Sequence, residues 1–279
     1  MDFWDIGSAG GRAPSGFRGE ARRMDLGAVA AAAAALGAAP EALQAVAEVE
    51  SRGAPFLASG RPAILFERHV FRRLTGGAHD GHPDLSHPGA GGYGPGGEAQ
   101  HARLERAVAL DREAALKATS WGRFQVLGLN AELCGWPDVE SFVADHCADE
   151  TAHLAGFVGY VRGAGLAGAL AGRDWAAFAR GYNGPAYARN RYDARMAAVY
   201  ARLTSPGVFR VEDVGALQRA LAFLGAEPGP ADGAMGPMTE ASIRRFERRC
   251  RLAETGLASA AVMAAAQAAY YALGGDPAA

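Results

Sequence analysis

Apolar residues recur with helical spacing through most of residues 25–203, and this spacing constrains the fold more than any other feature of the chain. Positions three and four residues apart share one face of a helix, so such a stripe predicts a helix packed against a core. The candidate helices cover about residues 25–36, 40–51, 100–118, 139–163, 173–181 and 185–203. Residues 56–98 are instead rich in Gly, Pro and His and hold one short apolar run, residues 63–66. The pattern predicts a mainly α fold with a short strand or hairpin and a long loop inserted.

A second, smaller domain is predicted after residue 203. Thr204-Ser205-Pro206-Gly207 has the composition of a linker. We assign residues 1–203 to the first domain, residues 204–210 to the linker and residues 211–279 to the second domain. Three apolar stripes, which include Leu217, Phe246 and Leu257, predict three short helices around a small core. A unit of that size is only marginally stable by itself.

Composition and charge exclude several classes of function. The chain has 279 residues and a formal net charge of −2, without the basic excess of a nucleic-acid-binding protein. The N-terminal residues lack a basic start followed by an apolar run, so no secretory signal peptide is predicted. The apolar stretch 26–36 is too short to span a bilayer, and no membrane insertion is expected. Cys134, Cys147 and Cys250 show no C-x-x-C spacing and are expected to be buried free thiols in a reduced compartment.

Glu50 occupies the last turn of the candidate helix 40–51, on the apolar face of that helix. The other members of this face are Leu43, Val46 and Ala47. At about 100° per residue, Glu48 points to the opposite, solvent side. Burial favours the neutral form of a carboxyl group and raises its pKa, which suits a general acid at neutral pH. A carboxylate held in an ion pair within a helix bundle explains the same position.

The glycine-rich interval raises two other possibilities, and the sequence supports neither. His79, His82 and His87 lie there among acidic residues, but no H-x-H or H-E-x-x-H spacing occurs, and no metal site is predicted. No Lys-Ser or Lys-Thr follows the glycine run 89–97, which excludes a phosphate-binding loop. We expect no cofactor and a solvent-exposed, flexible flap over a groove.

Four short motifs follow one another in the first domain. They are Val49-Glu50-Ser51-Arg52-Gly53, Ile64-Leu65-Phe66-Glu67-Arg68-His69, Ser120-Trp121-Gly122 and Tyr182-Asn183-Gly184-Pro185. Together they resemble the N-acetylmuramidase domain of modular phage endolysins, within the lysozyme-like superfamily. Residues 120–125 are similar to the Gly-Leu-Met-Gln segment of goose-type lysozymes and lytic transglycosylases, with Arg123 and Phe124 replacing Leu and Met. The resemblance implies a lysozyme-like α+β catalytic domain with a small β-hairpin.

The second domain has its own set of motifs. Residues 214–221 read V-x-x-L-Q-x-x-L, residues 232–239 read D-G-x-x-G-P-x-T, and Thr255-Gly256 comes after Phe246. These motifs resemble the three-helix peptidoglycan-binding module of cell-wall hydrolases. Glu247 stands where that module usually has Gln.

The resemblance implies cleavage of the β-1,4 bond between N-acetylmuramic acid and N-acetylglucosamine. Glu50 would be the general acid that protonates the glycosidic oxygen. Glu67 is the first candidate for a second catalytic carboxylate, because it follows the apolar run; an ion pair with Arg68 or another arginine is the alternative. Asp80 and Asp84 are the next candidates. Lytic transglycosylases use the acetamido group of the substrate instead, so no second carboxylate is obligatory.

Five further residues are implied to bind substrate. They are Ser120, Trp121, Gln125, Tyr182 and Asn183. Gln125 and Tyr182 would line the sugar groove, and Asn183 would shape the adjoining turn. Trp121 would stack on a sugar face or, alternatively, pack in the core. Ser120 is also placed to cap a short helix after it.

The function expected from these features is that of a phage endolysin. It would be a monomer that degrades peptidoglycan glycan strands during host lysis. It would stay cytoplasmic until a holin-like partner releases it to the wall in the periplasm. The alternatives are a lytic transglycosylase with 1,6-anhydro products and a non-catalytic wall-binding protein.

Overall fold

The computed structural model describes residues 11–51 and 55–276. The described residues form thirteen α-helices and a three-stranded antiparallel sheet, which confirms the mainly α fold with a small β insertion. The helices are α1 (Ala28–Leu36), α2 (Pro40–Ser51), α3 (Arg68–Leu74), α4 (Glu98–Leu110), α5 (Arg112–Lys117), α6 (Val139–Ala148), α7 (Glu150–Gly163), α8 (Ala167–Gly172), α9 (Trp175–Asn183), α10 (Tyr192–Leu203), α11 (Val214–Phe223), α12 (Pro237–Arg249) and α13 (Ala260–Ala272). The strands are β1 (Ile64–Phe66), β2 (Thr119–Trp121) and β3 (Val126–Leu127). The N-terminal residues 1–10, considered for a signal peptide, and Arg52-Gly53 of the first motif fall outside the described residues.

The chain divides into two compact units, each built from two stretches of sequence. Unit 1 comprises Met1–Arg23 and Ala47–Gly165. Unit 2 comprises Met24–Val46 and Leu166–Ala279. Helix α2 is therefore shared, with its first residues in unit 2 and its last, including Glu50, in unit 1.

The sheet of unit 1 joins segments that are far apart in sequence. Strand β1 pairs antiparallel with β2, and β2 pairs antiparallel with β3. Ser120 lies at the centre, opposite Leu65 on one side and Leu127 on the other. The Glu67 N–H continues the ladder by donating to the Ala118 carbonyl at 2.9 Å. The residue that follows β1 is thereby fixed beside the start of β2.

Buried polar groups support the turn between β2 and β3. Arg123 and Glu150 form a buried ion pair of 2.6 Å. The Arg123 N–H donates to His153 Nδ1 at 3.1 Å, and the other ring nitrogen of His153 lies 2.7 Å from the His146 carbonyl oxygen. Burial lowers the pKa of His153 to about 4, so the ring is neutral at neutral pH. Its unprotonated Nδ1 can then accept the Arg123 hydrogen bond.

Unit 2 has one core that extends beyond the three C-terminal helices. Leu217, Leu221, Ile243, Phe246 and Ala266 of α11–α13 share this core with residues from elsewhere in the chain. The additional members include Leu26, Leu203, Phe209 and Val211. Leu257, which we predicted to belong to the third helical stripe, is 62% exposed, and that prediction is wrong. It precedes α13, whose first turn is capped by the Ser259 side chain.

Three predicted helices are interrupted at residues that leave the helical conformation. Asp111 and Asp149 have extended backbones and cap the N-termini of α5 and α7 with their carboxylates. Arg191 has a φ of +52° and separates a 3-10 turn, Tyr187–Asn190, from α10. Helices α3 and α8 were not predicted. Both are shorter than two heptads, so they show little periodicity.

The burial of the cysteines and the length of the apolar helices bear on two further predictions. Cys134, Cys147 and Cys250 are buried and free, as predicted, and burial raises the pKa of each thiol to about 12. Within the described residues no single helix is long and apolar enough to cross a membrane. Helices α1 and α2 pass that test of length and composition only as a pair, bent by 107°.

Candidate active site

Glu50 lies in the last turn of α2, as predicted. Leu43, Val46 and Ala47 are at most 1% exposed, which confirms the apolar face of this helix. Glu50 is half-buried, but so is Glu48, which we expected on the solvent side. Partial burial therefore does not distinguish the two carboxylates, and the case for Glu50 rests on its position.

Glu67 directly follows β1 and sits at the N-terminus of α3. Its side chain is 17% exposed. The Tyr93 hydroxyl donates to Glu67 Oε1 at 3.3 Å, and His69 Nδ1 lies 3.3 Å from Oε2 without hydrogen-bond geometry. Arg68 donates to the Pro83 carbonyl instead. The alternative of an Arg68–Glu67 ion pair is therefore wrong.

The environment of Glu67 favours a protonated carboxyl group more than water does. Burial raises the pKa of Glu67, although the Tyr93 hydrogen bond and the positive charge of Arg103 act in the opposite direction. Burial and the charges of Arg73 and Arg68 lower the pKa of His69, so this ring supplies no full positive charge. Glu67 is thus a half-buried carboxyl group with a raised pKa beside a strand end, and perturbed pKa values of this kind cluster at functional sites.

Side chains of α4 hold the Tyr93 segment in place. Gln100, which is buried, donates to the carbonyls of Tyr93 and Pro95 at 2.6 and 2.8 Å. Its own carbonyl accepts the Phe66 N–H at 3.1 Å. Arg103 adds hydrogen bonds to the carbonyls of Asp84 and Tyr93 at 2.8 and 3.0 Å. Hydrogen bonds at Asp84, Tyr93 and Pro95 therefore tie this segment to β1 and α4. The flexible flap over a groove stays a prediction.

Asp80 and Asp84 serve this loop. Asp80 accepts hydrogen bonds from Ser86 and Arg72, which lower its pKa. Burial opposes a similar shift at Asp84, but a hydrogen bond from Arg106 leaves its pKa lowered. Both stay ionised in structural pairs, so they are weaker candidates for catalysis than Glu67.

Trp121 differs from its predicted role in sugar stacking, and Ser120 from its alternative role as a helix cap. The Trp121 ring is fully buried, packs 5.6 Å from the Phe17 ring, and donates its N–H to the Leu116 carbonyl at 3.2 Å. It cannot stack on a sugar, so the core-packing alternative is right. Ser120 lies in the middle of β2 and is half-buried. It caps no helix, because the chain continues into a turn.

Gln125 closes the turn between β2 and β3. Its backbone has a φ of +50°, and its side-chain amide donates to the Gly122 and Ala63 carbonyls at 2.8 and 3.2 Å. Because both N–H donors are used, the amide oxygen is the group that Gln125 can offer to a ligand. The side chain is half-buried.

The sheet brings together Glu67, Ser120 and Gln125, while the Trp121 ring packs against Phe17 in the core. Glu50 belongs to the same unit through the end of α2. Tyr182 and Asn183 end α9 in unit 2. Both are half-buried, and the Tyr182 ring stacks on Phe178 with 5.3 Å between centroids. Within the described part of the chain, no group of three or more His, Cys, Asp or Glu residues could hold a metal ion.

Comparison with known proteins identifies the family. A family model described as N-acetylmuramidase matches residues 39–204, which is more than half of the chain. The chain belongs to the N-acetylmuramidase family. A second model, for a peptidoglycan-binding domain, matches residues 210–266. No curated protein matches the chain.

Among solved structures, this member of the N-acetylmuramidase family is similar to the endolysin of the Burkholderia phage AP3. The two share 40% sequence identity over 63% of this chain and 68% of that chain, with a TM-score of 0.57. The muramidase and peptidoglycan-binding domains, together with this neighbour, show that the protein is a peptidoglycan hydrolase. The four motifs that carried the resemblance all lie within the matched residues 39–204.

In the peptidoglycan-binding domain of this family member, the motifs named above hold loops. Gln218 is buried and donates to Asp232, to Thr239 and to the Ala234 carbonyl at 3.0–3.1 Å. The carboxylate of Glu247 accepts hydrogen bonds from the Thr255 and Gly256 N–H groups, both at 2.8 Å, and from the Thr255 hydroxyl at 2.6 Å. This explains how Glu replaces the usual Gln, since every partner is a donor.

Proposed function

We propose that this peptidoglycan hydrolase is an N-acetylmuramidase that cleaves the β-1,4 bond between N-acetylmuramic acid and N-acetylglucosamine during host lysis. Glu50 is the general acid, and a holin-like partner releases the enzyme to the wall. The observation that favours hydrolysis over transglycosylation is the environment of Glu67. It is a half-buried carboxyl group with a raised pKa that accepts a hydrogen bond from Tyr93 and lies 3.3 Å from His69 Nδ1.

In the proposed reaction Glu50 and Glu67 transfer protons in opposite directions. Glu50 donates its proton to the glycosidic oxygen as the bond to the anomeric carbon breaks and an oxocarbenium-like centre develops. Glu67 accepts a proton from the water that attacks this centre. A general base is most effective when its pKa lies near the working pH, and burial shifts Glu67 in that direction. An inverting reaction of this kind requires about 6.5–9.5 Å between the two carboxyl groups to admit the water.

The substrate contacts of the proposal follow from the free hydrogen-bonding groups. The amide oxygen of Gln125 accepts a hydrogen bond from a sugar acetamido N–H, because the amide nitrogen is held by Gly122 and Ala63. Ser120 offers its hydroxyl from the middle of β2. Tyr182 and Asn183 keep the substrate-binding role that the family resemblance implies, and Trp121 is excluded by its burial.

Mass spectrometry of the fragments released from purified Gram-negative peptidoglycan tests this proposal. Reducing N-acetylmuramic acid ends are expected, because water takes the glycosyl centre. Fragments lighter by one water, with 1,6-anhydro ends, would make the protein a lytic transglycosylase. Fragments cut at the other glycosidic bond, with reducing N-acetylglucosamine ends, would contradict the bond assignment. If no fragment were released, the protein would be a wall-binding protein without catalytic activity.

A further inference from the structure

An exposed surface of unit 2 combines arginine and tyrosine side chains. It is formed by the end of α9, the 3-10 turn and the start of α10, which pack against one another. We call Arg180, Tyr187, Arg189, Arg191, Tyr192 and Arg195 the arginine–tyrosine surface. Its four arginines are exposed. The guanidinium groups of Arg180 and Arg195 lie over the rings of Tyr187 and Tyr192, at 5.9 and 5.6 Å from the ring centroids.

Positive charge is concentrated in this part of the chain. Residues 173–202 contain six arginines and two aspartates, a formal net charge of +4 in a chain whose total is −2. The surface therefore has a positive potential against a weakly acidic background, which favours an anionic ligand.

A second cluster of arginines, on α12, is held by structural partners. Arg245 and Arg249 donate to carbonyls that follow α11, at distances of 2.8–3.1 Å, and Arg248 pairs with Glu254 at 2.6 Å. A guanidinium group that lies on an aromatic ring keeps its in-plane N–H donors directed sideways. These donors match the geometry of a carboxylate. The arginine–tyrosine surface is thus suited to bind carboxylates.

The position of the surface indicates which carboxylates these are. Arg180 precedes Asn183 by three residues on α9, so the two side chains share one side of the helix. Asn183 is a sugar-contacting residue in the proposed function, on which this inference rests. In peptidoglycan the muramic acid units carry stem peptides that have several carboxylates. We propose that the arginine–tyrosine surface binds the stem-peptide carboxylates beside the glycan strand held at Tyr182 and Asn183.

A pair of double variants of the full chain tests this inference. Arg180→Gln/Arg189→Gln removes two charges from the surface. Arg23→Gln/Arg162→Gln removes two charges from exposed positions of unit 1 and is the matched control. Binding is measured by cosedimentation on ice, in a short incubation, with three probes: native peptidoglycan, peptidoglycan whose carboxylates have been amidated, and vesicles of anionic phospholipid.

On native peptidoglycan, the surface variant is expected to bind about tenfold more weakly than the control, which is the sum of two exposed charge contacts. On the amidated polymer, the two variants should bind equally. The inference would be overturned if the two variants bound native peptidoglycan equally well. It would also be overturned if the surface variant still bound the amidated polymer about tenfold more weakly than the control. A loss confined to the phospholipid vesicles would overturn it too, and would assign the surface to a membrane. Cleavage is not read in this assay, so failure of the proposed reaction is seen separately in the fragment analysis.

Discussion

At the scale of single residues, Tyr93 controls the environment of Glu67. Burial raises the pKa of Glu67, and the Tyr93 hydrogen bond counteracts this effect by stabilising the ionised form. Position after an apolar run was enough to single out Glu67 in the sequence. Tyr93 could not be predicted, because 26 residues separate it from Glu67 and no periodic pattern joins a loop to a strand. The roles of Gln100 and Arg103, which donate hydrogen bonds to the Tyr93 carbonyl, could not be predicted for the same reason.

Replacing Tyr93 by Phe is expected to shift the pH dependence of activity. The substitution removes the hydrogen bond that lowers the pKa of Glu67, so that pKa rises further. Because the proposed base acts when ionised, the acid limb of the kcat/KM profile should move to higher pH. The maximal activity above this limb should be retained. Tyr160→Phe, on α7, is the control. An acid limb that stays in place, or moves to lower pH, would contradict the role of Tyr93.

Replacing Glu67 by Gln tests the role of the carboxylate itself. A positioned general base contributes roughly 10²–10⁴-fold, so turnover on peptidoglycan should fall by about that factor while cosedimentation with the polymer is retained. Glu132→Gln, an exposed carboxylate of the same unit, should leave turnover unchanged. If Glu67→Gln keeps the turnover of this control, Glu67 has a structural role only.

At the scale of elements, the turn between β2 and β3 carries Gln125 and depends on Gly122. This glycine has a φ of +69°, and a Cβ atom there would lie 2.5 Å from the buried His153 ring. The His153 ring cannot move aside easily, because it accepts a hydrogen bond from the Arg123 N–H and its other nitrogen lies 2.7 Å from the His146 carbonyl oxygen. The glycine is therefore required by both backbone conformation and space.

Two glycine substitutions separate these requirements. Gly135 also has a positive φ, of +99°, but a Cβ atom there would meet nothing within 4 Å. Gly135→Ala should lower the free energy of unfolding by about 1–2 kcal/mol through backbone strain, and Gly122→Ala by about 1–3 kcal/mol more through overpacking. The midpoints of urea unfolding measure both. Equal midpoints would show that His153 does not restrict the turn.

Sequence patterns located individual elements better than they located breaks within long helical stretches. Strand β1 and helix α2 were predicted almost to the residue, whereas the candidate helices 100–118 and 139–163 each proved to be two helices. Asp111 and Asp149 break them, and at both places the apolar spacing continues across the break, so only the capping role of aspartate could have indicated it. For Trp121 the residue type could not separate two roles, because a tryptophan suits both sugar stacking and core packing. Its contact with Phe17 in the structure shows that it packs in the core.

At the scale of the whole molecule, the peptidoglycan-binding helices do not have a core of their own. Leu26 and Leu203 belong to the core of unit 2, although both lie outside residues 210–266 that match the domain. The segment between the two matched regions is also anchored, since the Phe209 carbonyl accepts hydrogen bonds from Gln267 and Tyr271 at 3.2 and 2.6 Å. Neither contribution follows from sequence patterns, because each joins residues far apart in the chain.

Gly27 offers a test of this shared core. A Cβ atom at Gly27 would lie 2.7 Å from the Cys250 carbonyl oxygen, which belongs to the backbone after α12. Gly27→Ala should therefore lower the free energy of unfolding by about 1–3 kcal/mol. Gly168→Ala, in α8 where nothing lies within 4 Å, should be neutral or stabilising by up to about 1 kcal/mol. A Gly27→Ala chain as stable in urea as the Gly168→Ala chain would mean that α1 is dispensable for this core.

The assignment of Glu50 as the general acid is tested most directly by comparing Glu50→Gln with Glu48→Gln. The two carboxylates lie on the same helix, two residues apart, and both are half-buried, so the variants differ little in charge and helix propensity. The release of reducing ends from peptidoglycan is measured. Glu50→Gln should lower kcat by at least about 10²-fold, and Glu48→Gln should retain the activity of the unmodified chain. Equal activity of the two variants would show that Glu50 is not the acid.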